Sequence, residues 1–245
     1  MAYNLEKFKK GLDDLQIHLD EKQMRQFLTY YELLVETNKV MNLTAITEFD
    51  EVIEKHFLDS LSLCRVKDLR SLEDRPEAYR ILDLGTGAGF PGIPLAIVSP
   101  EKEFLLIDSL NKRIRIINEL IGELGLRNVR AVHGRAEEMA RQKQYRQKFD
   151  VCVSRAVSRM SVLSEYCLPF LHKGGWLIAY KGPDAEKELK EAQNALNILG
   201  GQLDEVTETH MEEYGLFHKI VYIKKIKETP KQYPRKAGTP DRQPL

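Results

Sequence analysis

The stretch with the clearest chemical potential is Asp83-Leu-Gly85-Thr-Gly87-Ala-Gly89-Phe90-Pro91-Gly92-Ile-Pro94. It follows a short apolar run, Ile81 to Leu84, and leads into a second one, Ile93 to Val98. A strand, a glycine loop and a helix in that order bring backbone N–H groups and a helix N-terminus close to a ligand. Glycine matters in such a loop because a Cβ would block the approach and restrict the dihedrals. A dinucleotide fingerprint asks for G-x-G-x-x-G, with the last glycine packing the helix on the sheet. Gly85 and Gly87 fit, but the sixth position is Phe90, and Gly89 arrives one residue early. On its own the loop also suits a tight turn between packed elements.

With Asp83 two residues ahead, Gly85-x-Gly87-x-Gly89 resembles motif I of the class I S-adenosylmethionine (SAM)-dependent methyltransferases. In an open α/β sheet, ligands bind beyond the carboxyl ends of the strands, at the switch point beside the first strand. Asp108 closes the second predicted strand, 23 residues after Gly85, where an acid would bond a ribose diol. A strand-end Asp also serves as a helix cap. Ala136 and Glu137 follow the third strand, where an adenine would lie. They offer a small residue for ring contact and a carboxylate or backbone N–H for the exocyclic amine. Glu137 alternatively caps the next helix. Arg155 follows the fourth strand, facing the reacting methyl group, or else pairs at the surface with an acid such as Glu165. Phe90 either packs on the ligand or plugs the core below the loop.

The elements that must carry these residues follow from periodicity. Leu5, Phe8, Leu12, Leu15 and Leu19, then Met24, Phe27, Leu28, Tyr31, Leu34 and Val35, recur at helical spacing. Asp20 is the expected N-cap of the second helix, with Gln23 as its capping-box partner. A third helix is predicted from about Glu48 to Cys64; His56 and Asp59 share one face of it, within reach of a local hydrogen bond. Residues 66–79 read as a linker. From Arg80 strands alternate with helices: Ile81–Leu84, Glu103–Asp108, Val129–His133, Phe149–Val153 and Trp176–Tyr180. Helices are expected from Asn111 to Gly125, Val162 to Leu171 and Asp184 to Leu199. Two last strands, near Leu203–Glu208 and Lys219–Lys225, have no helix between them and form a hairpin. Repeated strand–helix units imply a parallel sheet covered on both faces. The predicted fold is therefore α/β: a Rossmann-like, seven-stranded, mostly parallel sheet with an N-terminal helical extension. The expected divisions are 1–66 for the extension, 80–225 for the SAM-binding domain and 226–245 for a basic tail.

Composition narrows the classes. With 37 Lys and Arg against 37 Asp and Glu, no global field attracts nucleic acid. From Lys224 onward, however, seven cations face only Glu228 and Asp241, which points to an anionic partner or to a solvated terminus. Cys64, Cys152 and Cys167 lack metal-ligand spacing and sit in apolar runs, so buried thiols and no metal are expected. No apolar run is long enough for a membrane span, and the N-terminus has no apolar signal core; a cytoplasmic monomer is the simplest expectation.

Eight segments together resemble one family: Asn38-Lys-x-Met-Asn-Leu-Thr44, His56-x-x-Asp-Ser60, the Asp83–Pro94 loop, Asn111-Lys-Arg113, Arg135-Ala-Glu137, Ser154-Arg-Ala156, Lys181-Gly182 and Tyr233-Pro-Arg-Lys-Ala-Gly-Thr-Pro240. They are similar, in order and across nearly the whole chain, to the bacterial 16S ribosomal RNA guanosine-N7 methyltransferases, the GidB (RsmG) family. Phe-Pro-Gly-Ile-Pro and the proline-rich tail motif are its most specific parts. The resemblance implies SAM as cofactor and a guanosine in the decoding region of 16S rRNA in the small ribosomal subunit as target. It also implies SAM contacts at Gly85, Phe90, Ala136, Glu137 and Arg155, and a tail folded back over the SAM pocket instead of a free peptide.

Guanine N7 has an exposed lone pair, so no general base is required. Arg135, Arg155, Lys181, Arg235 and Lys236 are the candidates for phosphate contacts. Arg141, Lys143, Arg146 and Lys148 read as a solvated face. Two other functions remain open to the sequence: a non-catalytic SAM-binding ribosome-assembly factor, and an NAD-dependent oxidoreductase, against which Phe90 and the terminal hairpin count.

Overall fold

The computed structural model describes residues 3–66, 79–155 and 157–245. Most of the expected 66–79 linker, and Ala156 of the Ser154-Arg-Ala156 segment, lie outside them.

The extension opens with α1 (Glu6–Asp14) and α2 (Glu21–Asn38). The capping box forms as the sequence demands: Asp20 accepts the Gln23 N–H at 2.7 Å and Gln23 accepts the Asp20 N–H at 2.9 Å. The third helical stretch is α3 (Phe49–Val52), a π-helical turn (Ile53–Leu58), α4 (Asp59–Leu61) and α5 (Leu63–Val66). The alternating part follows: β1 (Arg80–Leu84), α6 (Gly92–Val98), β2 (Glu103–Asp108), α7 (Asn111–Glu123), β3 (Val129–His133), α8 (Ala136–Met139), β4 (Phe149–Arg155) and α9 (Met160–Cys167). It ends with β5 (Leu171–Lys181), α10 (Ala185–Glu191), α11 (Gln193–Leu199), β6 (Gly201–Glu208), β7 (Lys219–Lys225) and a tail carrying α12 (Thr239–Arg242).

The seven strands lie in the order β3-β2-β1-β4-β5-β7-β6, parallel except for β7, which is antiparallel to both neighbours. Several expected bounds shift by a residue or two, and two of them by more. The helix predicted to reach Leu171 stops at Cys167, and β5 starts at Leu171 instead of Trp176 because Leu171 already pairs with Phe149 across a bulge. The single predicted helix over 184–199 is two, α10 and α11.

Strand residues alternate between two cores. Ile81, Val151, Val153, Ile178 and Tyr180 face one side; Leu82, Leu84, Cys152, Leu177 and Ala179 face the other. The extension covers the first side and shares its core, with Phe8, Phe27, Tyr30, Phe57 and Phe90 forming an aromatic cluster. Polar ties fix its seat: the Gln23 and Gln26 amides donate to the Ile97 and Leu124 carbonyls. Helices α9, α10 and α11 cover the second side. Cys152 and Cys167 are buried among them as expected, while Cys64 is only partly buried.

The tail folds back against α8 and α9. Arg146 donates to the Thr229 and Tyr233 carbonyls and Arg141 to those of Gln232 and Pro234. The run expected to be a solvated face is thus partly a clasp, because unpaired carbonyls of an irregular segment need donors. Arg235 pairs with Glu165, bridging both carboxylate oxygens. The Glu165 side chain is 1% exposed, so the pair is its compensation for burial. Arg235→Ala should destabilise the fold by about 3–5 kcal/mol in urea unfolding, because it strands a buried charge. Adding Glu165→Leu to that variant should recover most of the loss.

Candidate active site

The parallel order of β3, β2, β1 and β4 brings the loop after β1, Asp108, the first turn of α8 and Arg155 to one edge of the sheet. Gly85, Gly87 and Gly89 all have positive φ, at 76°, 60° and 103°. Only at Gly87 is the space above the backbone open, with nothing nearer a would-be Cβ than 4.0 Å. Gly85 lies under the Val157 side chain, and Gly89 against Ile93 and the Tyr30 hydroxyl.

Two acids hold the loop. Asp83 Oδ2 accepts from Thr86 Oγ1 at 2.7 Å and from the Gly92 N–H at 2.9 Å. Asp83 Oδ1 is buried with no hydrogen-bond partner among the described residues, and burial pushes the Asp83 carboxyl up to about 6. Asp108 Oδ2 accepts the Gly87 N–H at 3.0 Å and Oδ1 the Leu110 N–H at 2.9 Å. Asp108 is thus both a strand-end acid beside the open glycine and a cap for the next segment.

Glu137 is not a free carboxylate. It accepts the Gly238 N–H of the tail at 2.8 Å, which leaves the backbone N–H alternative in the first turn of α8. Phe90 takes the core-plug alternative. Its ring is 4% exposed, with centroids 5.3 Å from Tyr30 and 4.5 Å from His56.

Arg155 pairs not with Glu165 but with Asp59, at 2.5 Å, and its guanidinium lies 5.1 Å from the Phe90 ring centre. Asp59 also receives a hydrogen bond from His218 at 2.9 Å. Burial alone would raise the Asp59 pKa; the His218 hydrogen bond and the Arg155 charge outweigh it and hold the group below the usual carboxylate range. His56 and Asp59 do share a face, but His56 bonds to Thr44 Oγ1 at 2.8 Å and to the Lys55 carbonyl at 3.0 Å instead of to Asp59. Nothing in the sequence distinguishes Tyr30, Val157 and His218: each is an ordinary residue locally, and only the packing brings it to the loop or to Asp59. Among the phosphate candidates, Lys181 is held by Glu188 at 2.7 Å and Arg235 by Glu165, leaving Arg135 and Lys236 exposed.

The GidB family model, described as rRNA small subunit methyltransferase G, matches residues 23–217. The chain belongs to the GidB family. Two GidB relatives, each named ribosomal RNA small subunit methyltransferase G, cover nearly its whole length. The one from Lachnoclostridium phytofermentans is 50% identical over 97% of this chain and 96% of its own. The one from Clostridium novyi is 46% identical over 95% and 93%. Among solved structures, the [4+2]-cyclase SpnF matches with a TM-score of 0.52, 15% identity and 69% and 81% coverage. A fibrillarin/Nop5p complex matches with 0.51, 13% identity and 71% and 82% coverage. At that identity they share the fold alone.

As expected of a GidB protein, the fold is that of the class I SAM-dependent methyltransferases, and SAM is the cofactor. The residues present fit it: a glycine whose Cβ position is open, a strand-end acid beside it, and a buried acceptor, Asp83 Oδ1, that lacks a donor.

The site leaves a pH signature. Burial, with Arg155 adding to it, pushes His56 down to about 4. An unfolded chain takes up that proton near about 6.5, so the buried imidazole lowers stability as pH falls from there to about 4. Asp83, raised to about 6, acts in the opposite sense, costing stability as pH rises through its own window. His56→Gln should therefore gain on the unsubstituted protein on acidification, by on the order of 3 kcal/mol between pH 7 and 4, in urea unfolding at several pH values.

Proposed function

We propose that the chain transfers a methyl group to N7 of a guanosine in the decoding region of 16S rRNA, acting as a cytoplasmic monomer on the small ribosomal subunit. The observation that carries this reading is the convergence on one sheet edge of the open Gly87 loop, Asp108 and the first turn of α8, with Arg155 at the next strand end. The names of the full-length relatives support the rRNA substrate.

SAM, when bound, supplies an electrophilic methyl group on a sulfonium. The Gly85–Gly87 backbone, Asp108 and the α8 first-turn N–H groups at Ala136 and Glu137 are the residues that would hold it. Phe90 serves from beneath, seating the loop on the extension. Guanine N7 attacks with an exposed lone pair, so the chain has no proton to remove. Its work is to align the reacting atoms and exclude water. Arg155, fixed by Asp59 and the Phe90 ring, is a rigid cation at the strand end nearest that chemistry. Exposed Arg135 and Lys236 contact phosphates.

The test is transfer of labelled methyl from SAM to small subunits from cells lacking this modification, followed by mapping of the label. Label at guanine N7 of 16S rRNA is the expected result. SAM binding without transfer would favour a non-catalytic assembly factor, and NAD binding without SAM binding an oxidoreductase. Asp108→Ala should raise the Kd for SAM about tenfold or more, read by calorimetry, since it removes a charge-assisted acceptor at the site. Arg135→Ala and Lys236→Ala should each lower the slope of log K against log salt for RNA binding by about one, with little change in SAM affinity.

A further inference from the structure

Beside the glycine loop, at the carboxyl ends of β4 and β5, opens a cavity of about 460 Å³. Asp59, Arg155, Val157, Arg159, Tyr180 and His218 line it. Val157 is also the side chain lying over Gly85, so the cavity adjoins the cofactor loop directly. Its volume falls in the range of small-molecule sites; most of the residues around it are polar or charged, while their apolar atoms supply slightly more of its surface.

Next in the chain to His218 of its lining stands Phe217, 69% exposed. Among the described residues it is the only exposed Phe, Tyr or Trp. The exposure is not that of a loose loop. Leu216 before it is buried and bridged to Met211, and Gly215, at φ 67°, makes the turn. His218 after it is tied to Asp59 and to Ser62 Oγ. Strand β7 then begins at Lys219, opposite Lys181 at the carboxyl end of β5. Anchored on both sides, the ring is held exposed to solvent one residue from the cavity-lining His218 and two from the start of β7. It does not belong to the cavity wall.

We propose that Phe217 is an RNA-binding residue: its ring stacks on the base flanking the target nucleotide while that nucleotide occupies the cavity. The inference rests on the rRNA methyltransferase reading. A nucleotide drawn out of its stack leaves a neighbour with a bare π-face, and proteins cover such faces with aromatic side chains. The mixed polar and apolar lining suits the hydrogen-bonding edges and the faces of the target base, and the uncharged ring outside it suits the flat face of the next one. Exposed Arg159 at the mouth adds a cation for the connecting phosphate.

The test uses the full-length protein with SAM and small subunits lacking the modification. Phe217→Ala should lower kcat/KM for the subunits about tenfold, mostly through KM, as loss of one base stack does. The SAM Kd, the unfolding midpoint and the salt slope should stay as in the unsubstituted protein, because the ring is exposed and releases no counterions. Phe217→Trp should restore kcat/KM, and its new indole should lose fluorescence on RNA binding; Phe217→Leu should not rescue. Activity of Phe217→Ala within twofold of the unsubstituted protein would overturn the proposal, as would rescue by Leu equal to that by Trp. A defect on assembled subunits that vanishes on protein-free 16S rRNA, with the unsubstituted protein active on both, would overturn it in favour of a ribosomal-protein contact. An unsubstituted protein that methylates neither would instead sink the rRNA reading itself.

Discussion

The Arg155–Asp59 ion pair joins the helical extension to the carboxyl end of β4, beside the glycine loop. Arg155 ends β4; Asp59 comes from the helical extension, 96 residues earlier. Both side chains are largely buried, so each charge depends on the other for its compensation. Phe90 lies under the guanidinium and His56 stacks on Phe90, so loop, strand end and extension meet in one contact set. An extension that came loose would strand Arg155 and uncover the aromatic cluster beneath the loop. This gives a physical reason for a methyltransferase fold to carry these N-terminal helices: they supply the partner of Arg155 and close the core beneath the glycine loop.

The tail performs the corresponding task on the other side of the loop. Its irregular backbone is held by Arg141 and Arg146, and its Arg235 neutralises buried Glu165. Through Gly238 it engages Glu137 in the first turn of α8, on the sheet edge that carries the glycine loop. Tyr166 adds a hydrogen bond to Asp241 at 2.7 Å. Part of the tail's positive excess therefore serves the interior of the protein. The cations left exposed, such as Lys236, are the ones available to an anionic partner.

The glycine loop sits between these two supports, and its glycines have different tasks. Gly87 leaves room for a ligand, Gly85 and Gly89 let side chains pack against the loop, and Gly92 lets Asp83 approach the start of α6. The acids divide similarly: Asp83 braces the loop from β1 and Asp108 from β2.

Local features are legible in the amino-acid sequence alone. The Asp20–Gln23 capping box, the seven strands, the terminal hairpin and the glycine loop each follow from residues within a few positions of one another. Their physics, namely caps, side-chain periodicity and backbone freedom at glycine, acts over that same range. The order of strand ends on the sheet edge follows too, because right-handed strand–helix crossovers allow few arrangements. What the sequence does not decide is which charged group meets which. Arg155 has Glu165 as a candidate nearby in the chain and pairs with Asp59; Arg235 reads as free for phosphate and pairs with Glu165; Glu137 reads as free for adenine and holds the tail. Lys and Arg side chains look alike in a sequence whether they face water or a buried acid. Only the packing of distant segments sets the burial that makes one partner compulsory.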